Sequence, residues 1–117
     1  MTRRTERVAE QVRFELARIL RGEATDPRLR FVTLLRVELG ADLGSARLHW
    51  SDLRAEGADA IAEIGRALEG ATPFLRRRLA AALELRRVPE LRFSHDPSLA
   101  EGARTLSLLH ELEREPR

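Results

Sequence analysis

Apolar residues recur along the chain with two periods, and the switches between them mark out seven predicted elements. From Arg3 to Arg21, Val8, Val12, Leu16, Ile19 and Leu20 fall at spacings of four, four, three and one, the stripe of a helix turning about 100° per residue. Gly22 can cap that helix, and Asp26-Pro27 then forces a turn or extended backbone, because the residue before proline avoids the α region. Between Phe31 and Leu39 the period falls to two. Phe31, Leu35, Val37 and Leu39 are apolar while Arg36 and Glu38 point the other way, which predicts a strand with one buried face. Gly40 to Gly44 reads as a loop, and Ala46, Leu48 and Trp50 then alternate with Arg47, His49 and Ser51. These two strands predict an antiparallel hairpin, with Trp50 in the core.

The helical period returns over Ala55 to Glu69, carried by Ile61, Ile64 and Leu68, and Gly70 is placed to end that helix. A further helix is predicted at once, with Thr72 as N-cap, Pro73 at the first helical position and Leu75, Leu79, Ala82 and Leu83 as its apolar face. Pro89 precedes a short strand, Leu91 to His95, and Ser98 to Leu112 reads as a terminal helix, leaving 113–117 as a frayed tail. The order is α-β-β-α-α-β-α. A three-stranded sheet packed against helices, with a kinked helix pair, is the α+β arrangement of a KH-like domain. There is no repeat, low-complexity tract or Gly/Ser linker to divide the 117 residues, so a single domain over 1–117 is expected.

Composition narrows the function classes. No run approaches the roughly 18 apolar residues of a membrane span, and no apolar h-region follows the Arg-rich start. The absence of cysteine removes disulfides, thiolate catalysis and Cys-based zinc sites, and suits a reducing, cytoplasmic setting. The pI of 10.7 overstates the charge: 21 basic against 19 acidic residues leave only +2, and every one of the 21 is arginine. Distribution says more. Residues 1–36 and 70–95 each carry a local charge of +4, while 37–51, 52–69 and 96–117 are net acidic. Such alternation can gather a positive field on one face for phosphate, or can be ordinary solvated surface.

Several segments resemble the ribosome-binding factor A family, in the same order and along nearly the whole chain. They are Arg4-Thr5-Glu6-Arg7-Val8-Ala9-Glu10-Gln11-Val12, the turn Asp26-Pro27-Arg28-Leu29, Asp42-Leu43 with Ala46, and Phe74-Leu75-Arg76-Arg77. The most specific is Arg86-Arg87-Val88-Pro89-Glu90-Leu91-Arg92-Phe93. The resemblance implies a type II KH-like fold, association with the free 30S small subunit, and a part in late 16S rRNA maturation, including the 5′ end. It further implies RNA contact without a cofactor, a membrane or a small-molecule substrate, by a monomer. One position departs from the pattern. The family breaks its helix pair with an Ala-x-Gly kink, whereas here the segment reads Ala71-Thr72-Pro73, and proline has no N–H to offer a phosphate.

Candidate RNA-binding residues are Ala71 and Thr72 at the kink, Arg76 and Arg77 on the helix after it, and Arg86, Arg87 and Arg92 beyond. A helix N-terminus at the kink can hold phosphate through unpaired N–H groups, although Thr72 and Pro73 explain a helix start without any ligand. Arg76, Arg77 and Arg78 are spread round the helix, and Arg77 points directly away from the Leu75, Leu79, Ala82 and Leu83 face. Phe14 lies opposite the helix-one stripe, either packed under the terminal helix through Leu106, Leu108 or Leu109, or stacking on a base. His49, His95 and His110 lack metal-ligand or acid–base spacing, and His95-Asp96 has no nucleophile elbow beside it. No enzyme is predicted. The rival functions are a free-standing KH-like binder of single-stranded RNA and a protein-interaction module.

Overall fold

The computed structural model describes residues 3–114. Helix α1 (Arg3–Gly22) is followed by a 3₁₀ turn (Pro27–Leu29), strands β1 (Thr33–Leu39) and β2 (Ser45–Ser51), helix α2 (Gly57–Leu83), strand β3 (Glu90–His95) and helix α3 (Ser98–Arg114). The sheet order is β1-β2-β3, with β2 antiparallel to β1 and parallel to β3. The architecture is the expected α+β one. Val12, Leu16 and Ile19 of α1, Leu48 and Trp50 of β2, and Leu68, Leu75 and Leu79 of α2 meet in one buried cluster. The 3₁₀ turn is set by Asp26, whose carboxylate accepts the Arg28 backbone N–H at 2.9 Å, with Pro27 supplying the fixed φ.

Three local expectations are corrected. β1 does not begin at Phe31, and its buried face is not the unbroken odd series. Leu34 pairs with Trp50 and Arg36 with His49, so Leu35 is the extra residue of a β-bulge. The bulge resets the alternation: Leu34 is buried ahead of it and Val37 and Leu39 after it, while Phe31 remains 44% exposed in the turn before the strand.

The two helices expected to meet at a break instead run as one helix, α2, of 27 residues, with Pro73 inside it. Thr72 is not an N-cap, and Gly70 does not end a helix. The Thr72 hydroxyl donates to the Leu68 carbonyl one turn back at 3.0 Å, and Leu68, Leu75 and Leu79 form a continuous fully buried stripe across the proline. Burial of that stripe outweighs the hydrogen bond lost at Pro73 and the ring's crowding of the preceding turn. The helix ends at Glu84, which adopts the left-handed conformation (φ 51°, ψ 42°) and donates its N–H to the Ala80 carbonyl.

The terminal helix α3 does not cover Phe14. Leu106, Leu108, Leu109 and Leu112 are all more than half exposed, and Phe14 is 62% exposed beside Leu83 and Arg7. Of the expected tail, Glu113 and Arg114 belong to α3, and 115–117 lie outside the described residues.

Leu16→Ala should lower stability by about 2–5 kcal/mol in urea unfolding, while Leu108→Ala should change it by less than about 0.5 kcal/mol. Equal losses would contradict the detached position of α3. Pro73→Ala restores a helical donor, and with the looser unfolded chain set against that gain, it should stabilise the protein by roughly 2 kcal/mol. A loss of stability would show that the chain needs a break there.

Candidate nucleic-acid interface

The parallel pairing of β3 with β2 dictates where the Arg-rich segment sits. Ser45 lies opposite Glu90, and the Glu90 N–H donates to the Gly44 carbonyl at 3.0 Å, so residues 84–89 are held against the β1–β2 turn. The second half of α2 lies alongside. Together these elements form an open groove lined by Gly44, Pro73, Arg76, Arg77, Ala80, Arg87, Val88 and Glu90. The turn itself is fixed by Asp42, which accepts the Gly44 N–H at 2.9 Å, and by Leu43, whose φ of 59° is left-handed.

The arginines that look alike in sequence divide into three kinds. Arg76 is a clamp: its Nε donates to the Pro89 carbonyl at 3.3 Å and its Nη2 to the Val88 carbonyl at 3.1 Å, tying α2 to the segment before β3. Arg78 and Arg92 are neutralised, Arg78 by Glu23 in the turn just after α1 and Arg92 by Glu90 at 3.2 Å. Arg77, Arg86 and Arg87 are exposed and, among the described residues, form no ion pair. Arg77 and Arg87 line the groove, with Arg86 next along the chain.

The other expected site residues lie elsewhere. Ala71 packs toward the core on the opposite side of α2, lining a hollow with Thr25, Asp26 and Phe74. Because α2 continues through Thr72 and Pro73, no helix N-terminus with unpaired N–H groups exists at that point. Arg92 stands on the outer face of the sheet beside its β2 partner Arg47. The part played by Gly44 was not legible in sequence, since it depends on the parallel register, which no local pattern encodes.

The histidines have structural surroundings. His95 packs edge-on against Trp50, with centroids 4.8 Å apart. His49 Nε2 lies 2.7 Å from Glu38, a contact that, with Arg36 nearby, holds the Glu38 carboxyl below the usual range. Asp96 accepts the Ser98 N–H at the start of α3, and that bond lowers its pKa. Among the described residues no three His, Asp or Glu side chains gather as a metal site, and no helix is long and apolar enough to cross a membrane.

Comparison with known proteins places this arrangement. The sequence profile of the family described as ribosome-binding factor A matches residues 4–109. The ribosome-binding factor A of Pseudomonas fluorescens strain Pf-5 is 40% identical over 106 residues, covering 91% of this chain and 80% of that protein. The Marinomonas protein of the same name is 40% identical over 113 residues, covering 96% and 88%. The crystal structure of ribosome-binding factor A from Thermus thermophilus superposes with a TM-score of 0.67 at 27% identity, over 78% of this chain and 94% of that one. A homology model of the Thermus thermophilus protein, fitted into a cryo-EM map of its 30S complex, gives a TM-score of 0.64 at 27% identity, over 80% and 96%. With a family match over most of its length and a fold to correspond, the chain belongs to the ribosome-binding factor A family.

Proposed function

We propose that this chain is a ribosome-assembly factor of the cytoplasm that binds the free 30S subunit through 16S rRNA, acting as a monomer. On this reading it assists late 16S maturation, including 5′-end processing, and does so by binding rather than by covalent chemistry. The observation that carries the reading is the meeting of Arg77 and Arg87 in one groove, without ion pairs and with Arg86 next along the chain, on a fold shared with a protein fitted into a 30S complex. Unneutralised guanidinium groups on a rigid frame bind phosphate by releasing counterions, with little dependence on base sequence. Binding one local rRNA arrangement better than another would shift the maturing subunit toward it, since only differential affinity moves a population. Ala71 and Thr72 present no free amide and Arg92 is paired, so the contact rests on the other arginines. A second reading, docking to a protein, is favoured by one observation, the exposed leucine face of α3.

The protein should co-sediment with free small subunits in preference to complete ribosomes, and equal distribution would overturn the assembly reading. Arg77→Gln with Arg87→Gln should weaken subunit binding and make the slope of log affinity against log salt shallower by roughly 1.4 to 1.8. Binding that is unchanged in the double variant and indifferent to salt would favour protein docking instead. Arg76→Gln should behave differently, lowering stability by about 1 kcal/mol through loss of two carbonyl bonds, whereas Arg77→Gln should leave the urea midpoint unchanged.

A further inference from the structure

The bulge at Leu35 leaves Phe31 outside the core, and its surroundings are those of a binding site. The Arg54 guanidinium carbon lies 4.1 Å from the Phe31 ring centroid, and that of Arg30 lies 5.8 Å away. Beside the ring, between the end of α1 and the start of β1, is a concavity lined by Arg13, Arg21, Arg30, Phe31 and Thr33 over an apolar floor that includes Leu20 and Leu34. No carboxylate lines it. Arg13 is paired with Glu10, but Arg21, Arg30 and Arg54 form no ion pair among the described residues. The buried carboxylate of Asp52 accepts the Arg54 backbone N–H at 2.8 Å, which fixes the turn after β2 and leaves the Arg54 side chain to Phe31.

A surface aromatic covered by a guanidinium and ringed by unpaired cations has a net positive field and a flat face in the same place. A protein partner of ordinary composition would need carboxylates for the first feature and an apolar side chain for the second. An unpaired nucleotide supplies both from one residue, its phosphate to the cations and its base to the flat face. We propose that Phe31, Arg54, Arg30 and Arg21 form a second RNA contact, taking an unpaired nucleotide with its base against Phe31 and Arg54 and its phosphate toward Arg30 and Arg21.

The position of this site relative to the groove follows from the sheet. Ser45 of β2 adjoins the groove, and Ser51, opposite Thr33, adjoins Phe31. The strand between them has seven residues and so spans about 20 Å. One RNA held at both ends would be gripped across the length of the sheet, by phosphate contacts alone at one end and by stacking as well at the other. The inference rests on the proposed RNA-binding function but concerns separate residues, so the two can fail separately.

The test compares a roughly 12-nucleotide oligouridylate with an RNA duplex of equal length, using the full chain and three variants. Phe31→Leu should weaken oligouridylate binding roughly tenfold and leave duplex binding within about twofold, because only an unpaired base can stack on the ring. Arg30→Gln with Arg54→Gln, both at exposed positions, should weaken the oligouridylate and make its salt slope shallower by roughly 0.7, since of the two only Arg30 meets phosphate. Arg77→Gln with Arg87→Gln should weaken both probes alike. Oligouridylate affinity unchanged in both Phe31-site variants, alongside a loss in the groove variant, would overturn the second contact and leave the groove standing. Failure of the unaltered chain to bind either RNA would overturn both.

Discussion

The parallel register of β3 on β2 sets the path of the chain after the hairpin. A parallel neighbour cannot be reached by a tight turn, so the chain must travel back along the whole sheet before β3 can start. Helix α2 makes that journey. Its 27 residues cover about 40 Å, and its buried stripe closes the core over Leu48 and Trp50. Once Ser45 lies opposite Glu90, the residues before β3 have to lie at the β1–β2 turn. The Arg76 clamp on the Val88 and Pro89 carbonyls and the Glu90 bond to Gly44 then hold Arg87 in place. The groove is thus a consequence of strand pairing, which pins the loop residues that line it.

The same constraint explains why Pro73 is tolerated. A proline in a helix interior costs about 3 kcal/mol in isolation, enough to favour a break in an exposed helix. Here Leu68, Leu75 and Leu79 on either side of it are fully buried against the sheet. A break would require the two halves to bury those residues independently while still delivering β3 to its register. Capping signals at Thr72 and Pro73 describe what the local chain prefers, and the core overrules them.

Legibility in the sequence follows the range of the interactions concerned. The α1 stripe from Val12 to Leu20 and the alternation of Ala46, Leu48 and Trp50 were readable because each element carries its own period and meets the core with one face. The β-bulge was not readable, since Phe31, Leu35, Val37 and Leu39 fit an unbroken alternation and only pairing with Trp50 and His49 shows that Leu35 is extra. Sequence singled out the arginines that come to line the groove but could not rank them. Arg77, facing directly away from the α2 core, was predictable from helical angle. That Arg76 is a clamp, and that Arg78 and Arg92 are neutralised, depends on partners brought near by the fold: Glu23 lies 55 positions from Arg78, and the carbonyls of Val88 and Pro89 lie 12 and 13 from Arg76. The cluster round Phe31 was invisible for the same reason, because Arg54 belongs to a segment that is net acidic in sequence.

Charge therefore acts here by placement more than by amount. A net charge of +2 gives little long-range attraction to a polyanion, but arginines outnumber carboxylates in two small regions and leave each locally positive. The arginine groove is proposed to meet 16S rRNA on the free small subunit. A map of crosslinks formed when this protein is bound to purified 30S subunits tests it most directly. Crosslinks to rRNA are expected from Arg77 and from residues 84–89. Crosslinks confined to ribosomal proteins, or reaching rRNA only from α3, would contradict the proposal.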